Sequence, residues 1–318
     1  MCAIFGFVSY QNKVSGKQLK ILVKKLSEES EVRGKDATGI AYIRNGKTVI
    51  YKRPKQATKM KFYFPSDTVM LTGHTRMTTQ GDAKHNYNNH PFSGKVGNRT
   101  FALCHNGVLH NDNILKTTEK LPNTRIQTDS YVAVQLLEKY GNLNFETLTQ
   151  MAKTVHGTFV FTILNNDNTL YLVKGDNPLC LIHYRHLGLY VYTSTNTIMK
   201  SALTGSSLEK EPFDFIKVQE NEIIRIDRCG KLEKSQFEID YDGYMNFYDW
   251  DYDYFERTAE REGYLYDYCN MLGISEDELS VLYEMGYDDE EIEMMLNDKE
   301  LFRECVDGMQ KYIKEYYY

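Results

Sequence analysis

The six cysteines of this 318-residue chain, Cys2, Cys104, Cys180, Cys229, Cys269 and Cys305, include no CxxC pair and no Cys/His metal spacing. Nothing here calls for a disulfide framework or a bound metal, and a reducing cytoplasm is the compartment expected. The N-terminus lacks the charged and apolar regions of a secretory signal. No apolar run approaches the roughly 20 residues that a membrane-spanning helix needs, so a soluble protein is expected. Motifs for binding duplex nucleic acid are missing, and no segment repeats at a fixed period. Residues 240–318 also lack a Gly-rich phosphate loop and a Ser-Gly-Gly pyrophosphatase motif, which leaves no sign of a nucleotide-consuming domain there.

What remains is an ordinary globular composition, 42% apolar and 26% charged, with tyrosine unusually common at 25 copies. The formal charge of −6 conceals a division: residues 240–318 hold 23 Asp and Glu against 6 Lys and Arg, while residues 1–239 are net basic. The change sets in at YDGYMNFYDWDYDYFE, which predicts a main domain over 2–239 and an acidic, Tyr-rich linker with a small helical module over 240–318. Within that module, Leu282 to Tyr287 with Ile292 and Leu296 faintly resembles a ubiquitin-associated fold; a plain helical appendage is the alternative.

The run CAIFGFVS predicts a buried strand at the very start of the chain, and apolar residues at helical spacing predict an amphipathic helix over 17–31. Asn45-Gly46 between two β-rich runs predicts a type I′ hairpin. Residues 76–98 form a polar segment too long for a plain loop, of the kind that serves as a lid or binding loop. His85 and His90 within it lack companion carboxylates or cysteines and read as solvated. A strand over 100–105 leads into Asn106-Gly107, helices are expected at 112–120, 129–140 and 145–155, and six short strands follow up to residue 227.

A cysteine directly behind the initiator Met suits N-terminal-nucleophile chemistry. Once Met1 is removed, Cys2 carries both a thiol and an α-amine whose pKa of about 7.7–8.0 fits it to act as general base. An early cysteine on a strand is otherwise an ordinary buried residue. Its companions are Arg33-Gly34-Lys35-Asp36-Ala37-Thr38-Gly39, Gly73-His74-Thr75-Arg76, His105-Asn106-Gly107 and Thr128-Asp129-Ser130, followed by Gly175-Asp176-Asn177-Pro178-Leu179 and Thr193-Ser194-Thr195. With Cys2-Ala3-Ile4-Phe5-Gly6 they resemble the ordered motifs of class II glutamine amidotransferases, such as the glutaminase domain of glucosamine-6-phosphate synthase.

The resemblance implies an α+β fold, a four-layer αββα Ntn-hydrolase sandwich that hydrolyses the side-chain amide of L-glutamine through a thioester on Cys2. It implies catalytic roles for Asn106 and Gly107 as the oxyanion hole. Arg76 would take the substrate α-carboxylate and Asp129 the α-ammonium, with Thr79, Gln80 and the Gly107 backbone as further contacts. No cofactor and no metal is implied. Asp129 also suits a plain helix N-cap, and Asn-Gly a plain turn. Where many members read His-Thr-Arg-Trp-Ala-Thr-His-Gly, this chain has Met77 for the aromatic and Gln80 for the second histidine. The ammonia would pass to a separate acceptor protein. Rival readings are an autonomous amidohydrolase acting on another amide and a non-catalytic binding module.

Overall fold

The computed structural model of the protein describes residues 2–239. In chain order the first half holds β1 (Ala3–Ser9), α1 (Gly16–Glu29), β2 (Ala37–Arg44), β3 (Lys47–Arg53), β4 (Met70–Arg76), β5 (Phe92–Val96), β6 (Arg99–Leu109) and α2 (Asp112–Thr118). The second holds α3 (Tyr131–Tyr140), α4 (Phe145–Thr154), β7 (Gly157–Asn165), β8 (Thr169–Lys174), β9 (Cys180–Tyr184), β10 (Leu189–Thr193), α5 (Asn196–Leu203), β11 (Asp214–Phe215), β12 (Glu222–Ile226) and β13 (Leu232–Gln236). The module expected at 240–318 lies outside the described residues.

Two antiparallel sheets result. One has seven strands in the order β11-β9-β10-β1-β4-β2-β3, the other six in the order β13-β12-β8-β7-β6-β5. The apolar stripe of α1 (Leu19, Leu22, Val23, Leu26) packs with Phe5 and Phe7 on the outer face of the first sheet, joined by Met199 and Ala202 of α5. Helices α3 and α4 bury Val132, Leu136, Leu148 and Met151 against Phe159, Phe161 and Val173 on the outer face of the second. Between the sheets lies a third apolar layer, including Val8, Leu164, Leu172 and Tyr192. The expected αββα sandwich is the fold observed.

Local sequence explains many elements. Ser15 and Gln18 form a reciprocal capping box at the start of α1, and Asn144 with Thr147 does the same for α4. Asn45 and Gly46 both take positive φ, 49° and 68°, as a type I′ turn requires.

Other expectations are corrected. Asn106-Gly107 is no turn: β6 runs straight through it for 11 residues, because β7 pairs with it along its whole length. The 76–98 segment contains β5, whose alternating burial follows Phe92-Ser93-Gly94-Lys95-Val96. Between β3 and β4 lies a single 3₁₀ turn, Ala57–Lys59, and β11, one of the six short strands expected, is cut to Asp214–Phe215.

The sheets also meet through polar groups. Thr72 Oγ1 on β4 and Thr162 Oγ1 on β7 lie 2.7 Å apart, fully buried, with the Cys104 thiol 3.7 Å from Thr72. Thr72→Val leaves the Thr162 hydroxyl buried with its partner lost and is expected to cost about 1–3 kcal/mol. Thr72→Val with Thr162→Val should recover most of that loss, as read by urea unfolding.

Candidate active site

Strand β1 sits between β4 and β10, and every one of its residues is buried. Ile4 exchanges two hydrogen bonds with Ser194, donating its N–H to Oγ at 2.9 Å and accepting from the Ser194 N–H at 3.0 Å. The register pairs Ala3 with Thr75, so Cys2 stands beside Arg76 at the same end of the sheet. Arg33 Nε donates to the Cys2 carbonyl at 2.8 Å, and the Cys2 thiol points at the Met77 carbonyl, 3.4 Å away. Gly34 is required here by close approach: a Cβ would lie 2.5 Å from the Met77 nitrogen.

Strand β6 presents the opposite wall. Ile4, Cys104 and Val160 share one buried cluster between the sheets. Cys2, immediately before β1, and Asn106 on β6 lie two residues further toward the same end of the two sheets, which places both at one site. Both polar atoms of the Asn106 side chain are buried without a hydrogen-bond partner among the described residues.

Gly107 follows with φ 146°, and a Cβ there would lie 1.9 Å from the Thr158 carbonyl oxygen, so only glycine fits. Its partner across the ladder, Phe159, directs its N–H to Asp176 Oδ1 and its carbonyl to the Gly175 N–H. Gly107 therefore turns its own N–H away from β7. It opens onto the edge of β6 that β5 covers only as far as Leu103.

Asp129 occupies that same uncovered edge. Its Oδ2 accepts the Leu109 N–H at 2.7 Å and its Oδ1 accepts the Ser130 hydroxyl at 3.2 Å. The plain N-cap reading does not hold, since the carboxylate reaches back to β6 and the α3 cap position is Ser130, with no side-chain capping bond.

Arg76 is buried, and the 77–81 loop folds onto it. Its guanidinium donates to Asn89 Oδ1 and the Gly81 carbonyl, both at 2.8 Å, and to the Gln80 carbonyl. Asp36 secures the loop by accepting the Thr78 N–H at 2.8 Å. Gln80 is half-buried with Oε1 unpartnered, whereas Thr79 is exposed. Among the described residues no group of His, Cys, Asp and Glu is arranged to hold a metal, and no helix is long and apolar enough to cross a membrane.

Burial raises the Cys2 thiol above its usual pKa, with the nearby Arg76 charge opposing. The resting group is therefore a thiol that needs a base. Burial likewise lowers Arg33 and Arg76, and brings Lys52 to about 8. The Lys52 ammonium donates to the Pro91 carbonyl at 3.0 Å and to that of Asn89, tying β3 to the loop that holds Arg76.

Sequence reasoning missed the support around these groups. Arg33 and Ser130 lie within recognised motifs and Asn89 in the polar 76–98 segment, but their work depends on partners 13 to 31 residues away. His90, expected in solvent, is buried with its ring 4.2 Å from that of His74 and 4.3 Å from that of Phe92. Pairing of β5 with β6 draws the preceding residues inward, and Gly39 makes room, since a Cβ there would lie 2.2 Å from the His90 carbonyl oxygen.

The sequence comparisons agree with this arrangement. The chain is 30% identical over 247 residues, 73% of its length, to the glutamine–fructose-6-phosphate aminotransferase (isomerizing) of Staphylococcus aureus. It is 32% identical over 189 residues, 56% of its length, to that of Staphylococcus epidermidis. This chain belongs to the class II glutamine amidotransferases. It spans 38% and 30% of the length of these two relatives. No family model matches. Among solved structures, the glutamine phosphoribosylpyrophosphate amidotransferase of B. subtilis shares the fold, with a TM-score of 0.59 at 18% identity over 75% of this chain and 50% of that one.

The amidotransferase site is underlain by three buried histidines that burial keeps neutral: His74 at about 3, His90 well below its usual value and His105 lowered. The unfolded chain binds protons on these rings below about pH 6.5 while the folded one does not, so stability is full above that pH and falls as pH drops toward 3. A histidine kept neutral in the folded chain lowers stability by about 1.4 kcal/mol for each pH unit below about 6.5, a slope that for His74 persists to about pH 3. His90→Phe, which keeps the ring and removes two unpartnered nitrogens, should flatten the pH dependence of urea unfolding between pH 6 and 4.5 by one histidine's share.

Proposed function

We propose that this amidotransferase domain, residues 2–239, hydrolyses the side-chain amide of L-glutamine to glutamate and ammonia through a thioester on Cys2. The observation that carries the proposal is Asn106, a buried side-chain amide with no partner among the described residues, facing the same site as the Cys2 thiol and followed by a Gly107 N–H that the sheet leaves open. A polar group left unpaired in a protein interior costs about 1–3 kcal/mol, and a developing oxyanion supplies what it lacks.

Removal of Met1 leaves the Cys2 α-amine beside its own thiol. The amine takes the thiol proton as sulfur attacks the amide carbon, the response that a thiol held above its usual pKa requires. The Asn106 side-chain N–H and the Gly107 N–H stabilise the tetrahedral oxyanion. The protonated amine then gives its proton to the departing ammonia, and water cleaves the thioester by the same route in reverse.

Arg76 retains N–H groups beyond the three that bind Asn89 and the loop carbonyls, and these suit the substrate carboxylate. Asp129 suits the α-ammonium, and Thr79 and Gln80 lie on the loop that would close over it. The two relatives are named for transfer to fructose-6-phosphate. For this chain we propose that ammonia passes to a separate acceptor protein, with residues 240–318 a distinct acidic module. Co-purification of a partner that changes the glutaminase rate is the test of that step. Met77 and Gln80 motivate the second reading, another amide substrate, which comparison of L-glutamine with L-asparagine and γ-glutamyl peptides would decide.

With the N-terminus verified by intact mass, L-glutamine should yield glutamate, and Cys2→Ala should yield none. Asn106→Ala is expected to lower kcat by about 10²–10³ while leaving the thermal midpoint unchanged or higher, because it removes an unsatisfied buried amide. Loss of stability together with activity would instead assign Asn106 to the scaffold.

A further inference from the structure

Asp129 is linked through a single hydroxyl to a buried histidine, and the three contacts in that chain need more hydrogens than their members own. His105 Nδ1 lies 2.8 Å from Ser130 Oγ, Ser130 Oγ lies 3.2 Å from Asp129 Oδ1, and His105 Nε2 lies 3.3 Å from the Thr158 carbonyl oxygen. Each contact requires one hydrogen. A neutral His105 and the Ser130 hydroxyl together supply two.

If the imidazole proton sits on Nε2, it serves Thr158 and Ser130 must choose between His105 and Asp129. If it sits on Nδ1, Ser130 can serve Asp129, but Nε2 then faces a carbonyl lone pair. Protonating His105 would complete the set, at the expense of a charge inside the molecule. The charged and titratable groups around the ring are Asp129, Asp176, His74 and His90, with Arg76 and Lys52 acting on those two histidines. One face of the ring stacks on Phe161 at 4.6 Å.

We infer that an ammonium group placed on Asp129 Oδ1 supplies the missing hydrogen, and that Ser130 is thereby a positioning residue which reports occupancy of the ammonium subsite to His105. This rests on the proposed role of Asp129. With the ammonium bound, Ser130 is released from the carboxylate and donates to His105 Nδ1, while His105 donates from Nε2 to Thr158. The ammonium–Asp129 contact replaces the Ser130–Asp129 one, each of the three contacts then has one hydrogen, and the ring stays neutral. The consequence reaches the reaction centre directly, since Asn106 and Gly107 are the next residues on β6. A ligand without an α-ammonium leaves the set one hydrogen short and the position of His105 undetermined. The relay therefore selects α-amino substrates through the chemical step as well as through binding.

The test uses the full chain. In a Cys2→Ala background, which binds without turnover, ¹⁵N-histidine NMR should show L-glutamine fixing His105 as the Nε2–H tautomer. Glutaramate, which lacks the amine, should not do so. Ser130→Ala should abolish the response and Ser130→Thr should retain it. With Cys2 intact, Ser130→Ala should lower the kcat preference for L-glutamine over glutaramate by about tenfold, whereas a merely structural loss would lower both rates equally and spare the ratio. Binding of L-glutamine with no change at His105, or the same change in Ser130→Ala, overturns the relay alone. Failure of L-glutamine to bind overturns the relay together with the assigned ammonium subsite.

Discussion

The site depends on β1 being held on both sides, by β4 and by β10, from its third residue onward. The paired bonds between Ile4 and Ser194 and the Arg33 clasp on the Cys2 carbonyl add to that hold. The position of Cys2, the proposed nucleophile, then follows from sheet register, which is set by the whole buried face of β1 and resists local adjustment. A side chain on a loop would need its own supports to reach the same accuracy.

The second sheet contributes in a different way. Most backbone groups of β6 are spent on its neighbours, but beyond Leu103 the β5 side is open. Along that stretch Leu109 finds Asp129, the His105 carbonyl finds His74 Nε2 at 2.9 Å, and Gly107 is left for a ligand. Sites of this kind are built by leaving a regular ladder unfinished. Unsatisfied groups that would be defects elsewhere are concentrated where a substrate completes them.

Much of this was legible in the residue order, for identifiable reasons. The Asn45-Gly46 hairpin, the apolar spacing of α1 and the apolar run of β1 are local signals that tertiary contacts have no cause to override. Cys2, Arg76, Asn106 and Asp129 were visible as motifs, and the fold brings them to one end of the two sheets. What sequence could not supply was direction. Asn106-Gly107 has the chemistry of a turn, and only the length of β7 shows that it lies within a strand. Asp129 has the chemistry of an N-cap, and only the bond to Leu109 shows it facing the other way. The burial of His90 follows from the pairing of β5, which a polar loop composition concealed. Phe92, Gly94 and Val96, inward at every second position, were the signal available.

One asymmetry governs how such a domain can change. Strand β5 has five residues beside a β6 of eleven, and the proposed chemistry occupies the difference. A four-residue lengthening of β5 at its Phe92 end would carry the ladder to Gly107 and turn the open edge into ordinary sheet, with Cys2, Asn106 and Asp129 still in place. The proposed activity could therefore be silenced by an insertion in a strand that contains none of the proposed reacting groups. Among homologues that keep Cys2, Asn106 and Asp129, the length of that strand is a marker of whether the site is still open for business with a substrate.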